Sequence, residues 1–219
     1  MTIKNQTIQL IQCPKTKEDL SFINDRKKYL ENCSKMVKYY FYKGIPIFLP
    51  EKENRGNNLK FSRFYNIYSN FYDFIFKTAF FFKKEYGIEY QNIIKRMGDF
   101  VDIKSGNRVL EISIGTGNIM ALFPILNDVE LYGLDISIGM LSKCAKKMKK
   151  LNKSIELFQG EAENLPFKDT IFDVVYSVGG INFYNDKQKA IQEMIRVAKP
   201  GARFIISDET EKLVDNSDK

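Results

Sequence analysis

Arg108-Val-Leu-Glu-Ile-Ser-Ile-Gly-Thr-Gly-Asn118 (RVLEISIGTGN) is the stretch that decides the fold. Its apolar, β-branched first half predicts a buried strand, and Gly115 and Gly117 predict a turn at the end of that strand. Glycine accepts positive φ and lets a ligand approach the backbone with no Cβ in the way. The stretch therefore predicts a strand that leads into a ligand-binding turn.

Strand-like and helix-like segments alternate from this point onward. Strands are predicted over RVLEIS, VELYGLD, SIELFQ, IFDVVYS and ARFIIS, and helices over NIMALFPIL, SIGMLSKCAKKMKKL and KQKAIQEMIRVA. Lys199-Pro-Gly201 ends the last helix. Because parallel neighbours need crossover connections, the alternation predicts an α/β fold with a doubly wound, Rossmann-like parallel sheet.

The rest of the chain divides by composition into four predicted parts. Residues 1–50 carry short apolar runs between charged turns, which predict a small β-rich module. Residues 51–60 are charged and read as a linker. Residues 61–104 carry an aromatic-rich helical pattern, predicted to be a lid or cap, and residues 105–219 form the predicted core.

Composition limits the classes of protein that the chain can belong to. It has 219 residues, of which 44% are hydrophobic, enough for one sizeable core with a small appendage. No run approaches the roughly 20 apolar residues of a membrane span, and MTIKNQTIQL lacks the apolar core of a secretory signal. We therefore expect a cytoplasmic protein whose three cysteines are reduced thiols.

Charge and the missing histidines narrow the chemistry further. With no histidine, the chain has neither a His-dependent triad nor a His-ligated metal site. The net charge of +7 permits contact with nucleic acid or an anionic membrane surface. The lysines are widely spread, however, and the densest run, from Lys143 to Lys153, is interpreted as the solvated face of a helix. Nucleic acid is not favoured, whereas the aromatic-rich segment 61–104 suits a hydrophobic substrate or peripheral contact with a membrane surface.

The glycine turn does not match the two commonest phosphate-binding patterns. A dinucleotide fingerprint would have its third glycine where Met120 stands, which disfavours a nicotinamide-dependent dehydrogenase. The phosphate-loop pattern also fails, because no Gly-Lys-Ser/Thr follows.

Carboxylates lie in or beside the ends of the first three parallel strands, at Glu111, Asp135 and Glu161. Since ligands of open parallel sheets bind at these ends, the acids predict a negative rim that repels pyrophosphate and favours a cationic ligand. Asp135 is placed to accept hydrogen bonds from ribose hydroxyls. The alternative, that Asp135 only caps a helix beginning near Ser137, stays open.

Four segments, RVLEISIGTGN, LYGLDISIGML, QGEAENLPFKDTIFDVVYS and EMIRVAKPGARFIISDE, resemble the class I S-adenosyl-L-methionine-dependent methyltransferases, in the type 11 form of the domain. The resemblance spans residues 108 to 209. It implies S-adenosyl-L-methionine as cofactor and a sheet of strand order 3-2-1-4-5. Family members usually continue with two more strands, so we expect the last strand, ARFIIS, to be an exposed edge that favours self-association.

The resemblance also implies roles for individual residues. The methionine part of the cofactor would lie against Glu111 and the glycine turn, the ribose against Asp135, and the adenine between Ile136 and Met140. The adenine amino group would donate to Glu161, near the amide of Ala162. The remaining predicted cofactor-binding residues are Ser113, Gly115, Thr116, Gly117, Asn118, Ser177 and Tyr72. Ser113 stands where the family often has the first glycine of its motif.

Methyl transfer from a sulfonium is an in-line displacement, so alignment and the exclusion of water matter more than acid–base side chains. If a base is needed, Asn182 and Tyr184 are candidate catalytic residues, with an ordinary polar pair in a loop as the alternative. The predicted acceptor is small or lipidic, of a quinone-like class. Two alternatives stay open: an inactive cofactor-binding or partner subunit, and an RNA methyltransferase.

The first module contains two incomplete cysteine pairs. Cys13-Pro-Lys-Thr16 and Cys33-Ser-Lys-Met36 have C-x-x-C spacing with the second member replaced, and the module resembles the zinc-ribbon-like domain that accompanies some methyltransferases. Structural zinc requires four nitrogen or sulfur donors, and a thioether is a weak one. We therefore expect a degenerate ribbon that holds no metal.

Overall fold

The structure, a computed structural model, describes residues 3–25, 27–49, 99–123 and 128–208. These residues form two sheets, one with four antiparallel strands and one with five parallel strands. Tyr72, the linker 51–60 and most of the segment 61–104 lie outside the described residues, so the predictions made for them stay predictions. No helix in the described ranges is long and apolar enough to cross a membrane.

The N-terminal module is a short helix followed by an antiparallel meander in the order β1-β2-β3-β4. Its elements are α1 (Asn5–Ile8), β1 (Leu20–Asn24), β2 (Lys28–Asn32), β3 (Lys38–Tyr42) and β4 (Ile45–Pro46). The period-2 alternation of strands separates its two faces. The cross-strand pair Leu30 and Tyr39 is buried, whereas Tyr40, on the opposite face, is 49% exposed.

The parallel sheet confirms the predicted α/β fold and its strand order. Its elements are β5 (Arg108–Ile112), α2 (Asn118–Leu122), β6 (Glu130–Asp135), α3 (Ile138–Lys150), β7 (Ile155–Gln159), β8 (Phe172–Val178), a 3-10 turn (Ile181–Phe183), α4 (Lys187–Val197) and β9 (Ala198–Ser207). The order β7-β6-β5-β8-β9 is 3-2-1-4-5 when the strands are counted along the chain from β5.

Local chemistry explains where the helices begin and end. Ser137 and Asp186 are the N-caps of α3 and α4, and their side chains accept hydrogen bonds from backbone amides three residues on. Helix α2 is shorter than predicted and ends at Leu122, because Phe123 precedes a proline and takes extended backbone. Lys153 donates to the carbonyls of Met120, Ala121 and Phe123 at this end.

Hydrophobic cores lie on both faces of the parallel sheet. Val109 and Tyr176 face one core, which α3 covers with Leu141 and Met148, and Leu110 faces the other. The N-terminal module contributes to this second core with its own buried residues, among them Leu30, Tyr39 and Phe48. Module and sheet therefore share one continuous hydrophobic core.

The N-terminal module also covers one edge of the parallel sheet. The amide of Phe48 donates to the carbonyl of Gln159 on β7 at 2.8 Å, and Ile47 forms a parallel bridge to the same residue. The Phe48 ring stacks against Phe158, with 6.3 Å between the ring centroids. Within the described residues β7 is therefore a covered edge, while β9 forms the other edge of the sheet.

Candidate cofactor-binding site

The turn after β5 has left-handed backbone at alternate residues, with φ of 59° at Ser113, 55° at Gly115 and 75° at Gly117. Serine pays about 1 kcal/mol for this conformation, which glycine adopts freely. Gly117 is also required for packing, because a Cβ there would lie 2.6 Å from Cε of Met148 and 2.7 Å from Sγ of Cys144. The close approach of the turn to α3 thus depends on glycine.

Asp135, at the end of β6, joins this turn to the start of α3. Its Oδ2 accepts from the amide of Gly115 and its Oδ1 from the amide of Ser137, both at 2.8 Å. Ser137, and not Asp135, is the N-cap of α3. The amide of Ile136 also donates to this carboxylate, which has about four acceptor positions in all and so keeps capacity for a further donor. Burial raises the pKa of Asp135 to about 6, although the amide hydrogen bonds oppose this shift.

Glu111 lies on the neighbouring strand and is 2% exposed. The hydroxyl of Tyr176 donates to its Oε2 at 2.9 Å. Burial raises the pKa of Glu111 to about 8, the Tyr176 hydrogen bond opposes this shift, and the negative charge of Asp135 adds to it. Two buried carboxylates close to each other are stabilised in their ionised form by a positively charged ligand.

Two residues predicted to hold the adenine follow β6, one in the loop and one in the first turn of α3. The carbonyl of Ile136 accepts from the side-chain amide of Gln159 at 3.0 Å, which fixes this loop to the end of β7. Met140 lies in the first turn of α3 and is 2% exposed. The two residues therefore sit beside Asp135 at the same edge of the sheet.

The loop after β7 carries the other predicted adenine contacts. Glu161 is half-buried, and its Oε2 accepts from the side chain of Asn164 at 3.3 Å. Ala162, which follows, is buried. The amide of Gly160 donates to the carbonyl of Asp135 at 3.1 Å, so this loop and the β6 loop are joined.

The polar side chains of the glycine turn are held by a lysine on α3. Lys147 donates to Oγ1 of Thr116 at 3.1 Å and also to Oδ1 of Asn118. Lys147 and Lys153 are thus engaged with the protein, and the interpretation of the whole lysine run as a solvated face was wrong at these two positions. The run of charges hid them, because lysine spacing does not reveal which side chain reaches a neighbouring loop.

Three hydroxyl groups meet where β5 and β8 end. The Tyr184 hydroxyl lies 3.0 Å from Oγ of Ser113 and 2.9 Å from Oγ of Ser177. Burial raises the pKa of Tyr184 to about 12, so the phenol is neutral at pH 7 and acts as a hydrogen-bonding group, not as a base. This disfavours Tyr184 as a catalytic base.

Asn182, the other candidate catalytic residue, is exposed in the loop after β8. Its amide donates to Oδ2 of Asp208 at 3.1 Å, and its side-chain oxygen accepts from Lys187 at 3.2 Å. It does not share the buried hydroxyl cluster with Tyr184. The two candidate catalytic residues therefore differ in environment, because Tyr184 is buried and Asn182 is exposed.

Three residues that shape this site were not predicted from the sequence: Tyr176, Gln159 and Lys147. A signal existed for Tyr176, because the predicted order places β8 beside β5, and the observed register pairs Glu111 with Tyr176. Gln159 and Lys147 act through side-chain contacts to loops, which no spacing in the sequence reveals. The arrangement as a whole is an acidic strand edge with a glycine turn, suited to a cationic ligand that carries hydroxyl groups.

Comparison with known proteins agrees with this chemistry. Residues 110–206 match the family model described as Methyltransferase domain. A demethylmenaquinone methyltransferase of Paenarthrobacter aurescens is 34% identical over 116 residues, which are 53% of this chain and 44% of that protein. The ubiquinone/menaquinone biosynthesis C-methyltransferase UbiE of Pseudomonas putida is 36% identical over 122 residues, which are 52% and 48% of the two chains. The chain thus spans about half the length of these curated relatives.

Solved structures define the fold class. A Methanococcus maripaludis protein assigned as an S-adenosyl-L-methionine-dependent methyltransferase superposes with a TM-score of 0.52 at 26% identity, over 69% of this chain and 68% of that one. The YcgJ protein of Bacillus subtilis gives a TM-score of 0.50 at 25% identity, over 57% and 55% of the two chains. The parallel sheet therefore has the class I methyltransferase fold. More particularly, residues 110–206 match a methyltransferase domain, a class whose methyl donor is S-adenosyl-L-methionine.

Proposed function

We propose that the chain is an S-adenosyl-L-methionine-dependent methyltransferase that acts on a small or lipidic, quinone-like acceptor. The observation that carries the proposal is the Asp135 carboxylate, which lies 2.8 Å from the Gly115 amide and 2.8 Å from the Ser137 amide at the end of β6. It joins the glycine turn to α3, and its remaining acceptor capacity suits a ribose hydroxyl. The buried Glu111 beside it, whose pKa burial raises to about 8, loses its proton more readily when a positively charged sulfonium or ammonium group lies near it.

Each strand end has its own task in this proposal. The turn after β5 holds the methionine part, Asp135 the ribose, and the loops after β6 and β7 the adenine. The proposed cofactor contacts lie on these loops, in the first turns of α2 and α3 and at the end of β8: Ser113, Gly115, Thr116, Gly117, Asn118, Ile136, Met140, Glu161, Ala162 and Ser177. A contact from Tyr72 stays a prediction.

When bound, the cofactor supplies an electrophilic methyl group on sulfur. The protein has to orient the acceptor in line with that bond and to exclude water. The buried hydroxyls of Ser177 and Tyr184 line the adjacent strand end, and a neutral phenol there orients polar atoms without removing protons. An acceptor whose reacting atom needs no general base therefore suits this site.

Calorimetric titration with S-adenosyl-L-methionine tests the cofactor assignment. Asp135→Asn removes the charge and keeps the shape, and we expect at least a tenfold weaker affinity, about 1.4 kcal/mol. Asp173→Asn is the matched control, because Asp173 also accepts from a backbone amide, that of Arg108, but at the opposite end of the sheet. Equal affinity of the Asp135 variant and the wild type, or tighter binding of NADH, would refute the assignment.

The quinone-like acceptor rests on the relatives named demethylmenaquinone methyltransferase and UbiE. Transfer of a labelled methyl group from the cofactor to demethylmenaquinone in detergent micelles would support it. Cofactor binding with no transfer to any of a panel of quinones, phenols and lipids would favour the inactive subunit. Location in the cytoplasm stays a prediction.

An RNA acceptor is the second candidate, and one surface favours it. Tyr40 and Tyr42 on the outer face of β3 are 49% and 42% exposed, and Tyr29 pairs with Tyr40 across the strands. Lys38 and Lys43 lie over the rings of Tyr29 and Tyr42. Exposed aromatic rings flanked by lysines suit stacked bases of a single strand. Binding of an unstructured RNA that weakens steeply with salt, and that Tyr40→Ala reduces, would support this candidate.

We propose that the N-terminal module is a ribbon-like unit held together without metal. Asn32, which is 1% exposed, is the centre of a hydrogen-bond network that joins the loop carrying Thr16 to the loop carrying Ser34. Its side-chain amide donates to Glu18 and Ser34, with Oγ1 of Thr16 at 3.4 Å, and its oxygen accepts from the amide of Val37 at 2.8 Å. No group of three or more metal-binding side chains occurs in the described part of the chain.

The two incomplete cysteine pairs differ in their surroundings. Cys13 is buried and lies 3.2 Å from the Tyr39 hydroxyl, whereas Cys33 is exposed and Met36 is 81% exposed. Of the positions that would form a four-cysteine site, Cys13 is therefore inside the module, whereas Cys33 and Met36 face solvent. Elemental analysis of protein purified without added metal should find no zinc, and one zinc per chain would refute this proposal.

We also propose that β9 mediates self-association. It is the outer strand of the parallel sheet as described, and its Phe204 is 36% exposed. Unpaired strand edges favour pairing with another chain. Sedimentation should show a mass above that of the monomer at high concentration, and a monomer at every concentration would contradict it.

Contact with a membrane surface was predicted from the aromatic segment 61–104 and stays a prediction.

A further inference from the structure

Ser113 adopts a backbone conformation that favours glycine. Its φ is 59°, close to those of Gly115 and Gly117 in the same turn, but serine carries a Cβ that disfavours this conformation. A residue held in a disfavoured conformation depends on surrounding contacts that fix it. The contacts of its hydroxyl group are therefore informative.

Those contacts lead to Tyr184. The phenol oxygen lies 3.0 Å from Oγ of Ser113 and 2.9 Å from Oγ of Ser177. Because a phenol has one donor and also accepts, it can donate to one serine and accept from the other. Tyr184 is 9% exposed and Ser177 is 1% exposed. One buried hydroxyl thus bridges the turn after β5 and the end of β8.

The loop after β8 is shaped to accommodate the serine. A Cβ at Gly180 would lie 2.5 Å from both Cβ and Oγ of Ser113, and 3.1 Å from Oγ of Ser177. The side chain of Ser113 therefore occupies space that any larger residue at position 180 would take. Position 113, Gly180 and Tyr184 form one steric and hydrogen-bonded unit.

We propose that Tyr184 is a positioning residue for the glycine turn. Its hydroxyl holds Ser113 in the left-handed conformation. The next residues of the turn then place the amide of Gly115 on Asp135 at 2.8 Å. The Ser113–Tyr184 pair thus provides by hydrogen bonding the backbone conformation that a glycine at position 113 would adopt on its own. The consequence for cofactor affinity rests on the proposed function.

Four variants of the full chain test this proposal by calorimetry with S-adenosyl-L-methionine. Tyr184→Phe and Ser113→Ala keep the strained Cβ at position 113 and lose the hydrogen bond, so we expect affinities roughly tenfold weaker. Ser113→Gly removes the same hydroxyl but also removes the backbone strain. Its affinity for the cofactor should therefore be close to that of the wild type. In the Ser113→Gly background, Tyr184→Phe should add less than about twofold.

A buried tyrosine elsewhere serves as the matched control. Tyr132 is 1% exposed, and its hydroxyl donates to Glu130 at 2.6 Å. Tyr132→Phe should leave the affinity unchanged. If Ser113→Ala binds as well as Ser113→Gly, or if Tyr184→Phe has the same effect in both backgrounds, the hydroxyl does not act through Ser113 and the proposal is wrong.

Amide hydrogen exchange tests the same contact without any cofactor. The Gly115 amide, protected by Asp135, should exchange at least several-fold faster in Tyr184→Phe than in the wild type, and Ser113→Gly should suppress the difference. An unchanged rate in Tyr184→Phe would overturn the proposal. If the wild type fails to bind S-adenosyl-L-methionine, the proposed function fails, and exchange at Gly115 still decides the role of Tyr184.

Discussion

Tyr176 donates its hydroxyl hydrogen to Glu111 at 2.9 Å, across neighbouring parallel strands and inside the protein. The register places the two residues directly opposite each other. Among the described residues, Tyr176 is the side chain that donates to this carboxylate, and Glu111 is 2% exposed. A buried acid held in this way responds to pH and to ligand charge, and the first three predictions depend on it.

Tyr176→Phe should lower the free energy of unfolding by about 1–2 kcal/mol, because the Glu111 carboxyl loses a buried donor. The loss should be larger at pH 9 than at pH 6, since that hydrogen bond favours the ionised form. Urea denaturation at both pH values measures it. Tyr40→Phe, at a residue 49% exposed, is the control and should change the stability by less than about 0.5 kcal/mol. A loss independent of pH would contradict the prediction.

The stability of the cofactor-free protein should fall as the pH rises from about 5 to about 8. Burial raises the pKa of Glu111 from 4.5 to about 8, so in this range the folded chain binds more protons than the unfolded chain. Stability then decreases with pH by linkage. Glu111→Gln, which does not titrate, should flatten the slope in thermal denaturation. An equally steep slope in the variant would assign it to other groups.

Cofactor binding should release protons, and affinity should rise with pH. A cationic ligand lowers the raised pKa values of Glu111, about 8, and Asp135, about 6. One released proton corresponds to about a tenfold gain in affinity per pH unit between these values. Calorimetry in buffers of different ionisation enthalpy counts the protons. S-adenosylhomocysteine, which lacks the sulfonium charge, should release fewer, and an equal release for both ligands would contradict this account.

Gly117→Ala should destabilise the fold by about 3 kcal/mol or more, through both positive φ and steric overlap. A Cβ there meets Met148 at 2.6 Å and Cys144 at 2.7 Å. Gly106→Ala is the matched control, because φ is 80° and nothing lies within 4 Å of an added Cβ. It should cost about 1–2 kcal/mol, the effect of φ alone. Similar losses for both variants would show that the packing against α3 is not tight.

Periodicity predicted the sheet and its helices because these depend on local patterns. The strand ends also placed Asp135 and Glu111 at one edge, since parallel strands all finish there. The sequence did not reveal the conformation of Ser113, because its φ of 59° is maintained by Tyr184, a residue 71 positions away. Nor did it reveal the hydrogen bond from Lys147 to Thr116, because this contact joins a helix to a turn that is distant in sequence.

The N-terminal module was predicted as an appendage of the core, and the boundary at residue 50 stays a prediction. The structure adds that Phe48 completes the backbone pairing of β7, beside the loop that carries Glu161. Position 160 is glycine, and a Cβ there would lie 3.8 Å from Cβ of Phe48. The module is therefore in contact with the loop proposed to hold the adenine.

The backbone pairing between Phe48 and Gln159 has a practical consequence for protein engineering. A fragment that begins at residue 105 would contain the whole segment that matches the family model. It would, however, leave the outer edge of β7 without the backbone partner Phe48, and it would remove Leu30, Tyr39 and Phe48 from the shared core. Any chimera that transplants this parallel sheet should carry residues 3–49 with it. The smallest exchangeable unit is larger than the segment by which the family is recognised.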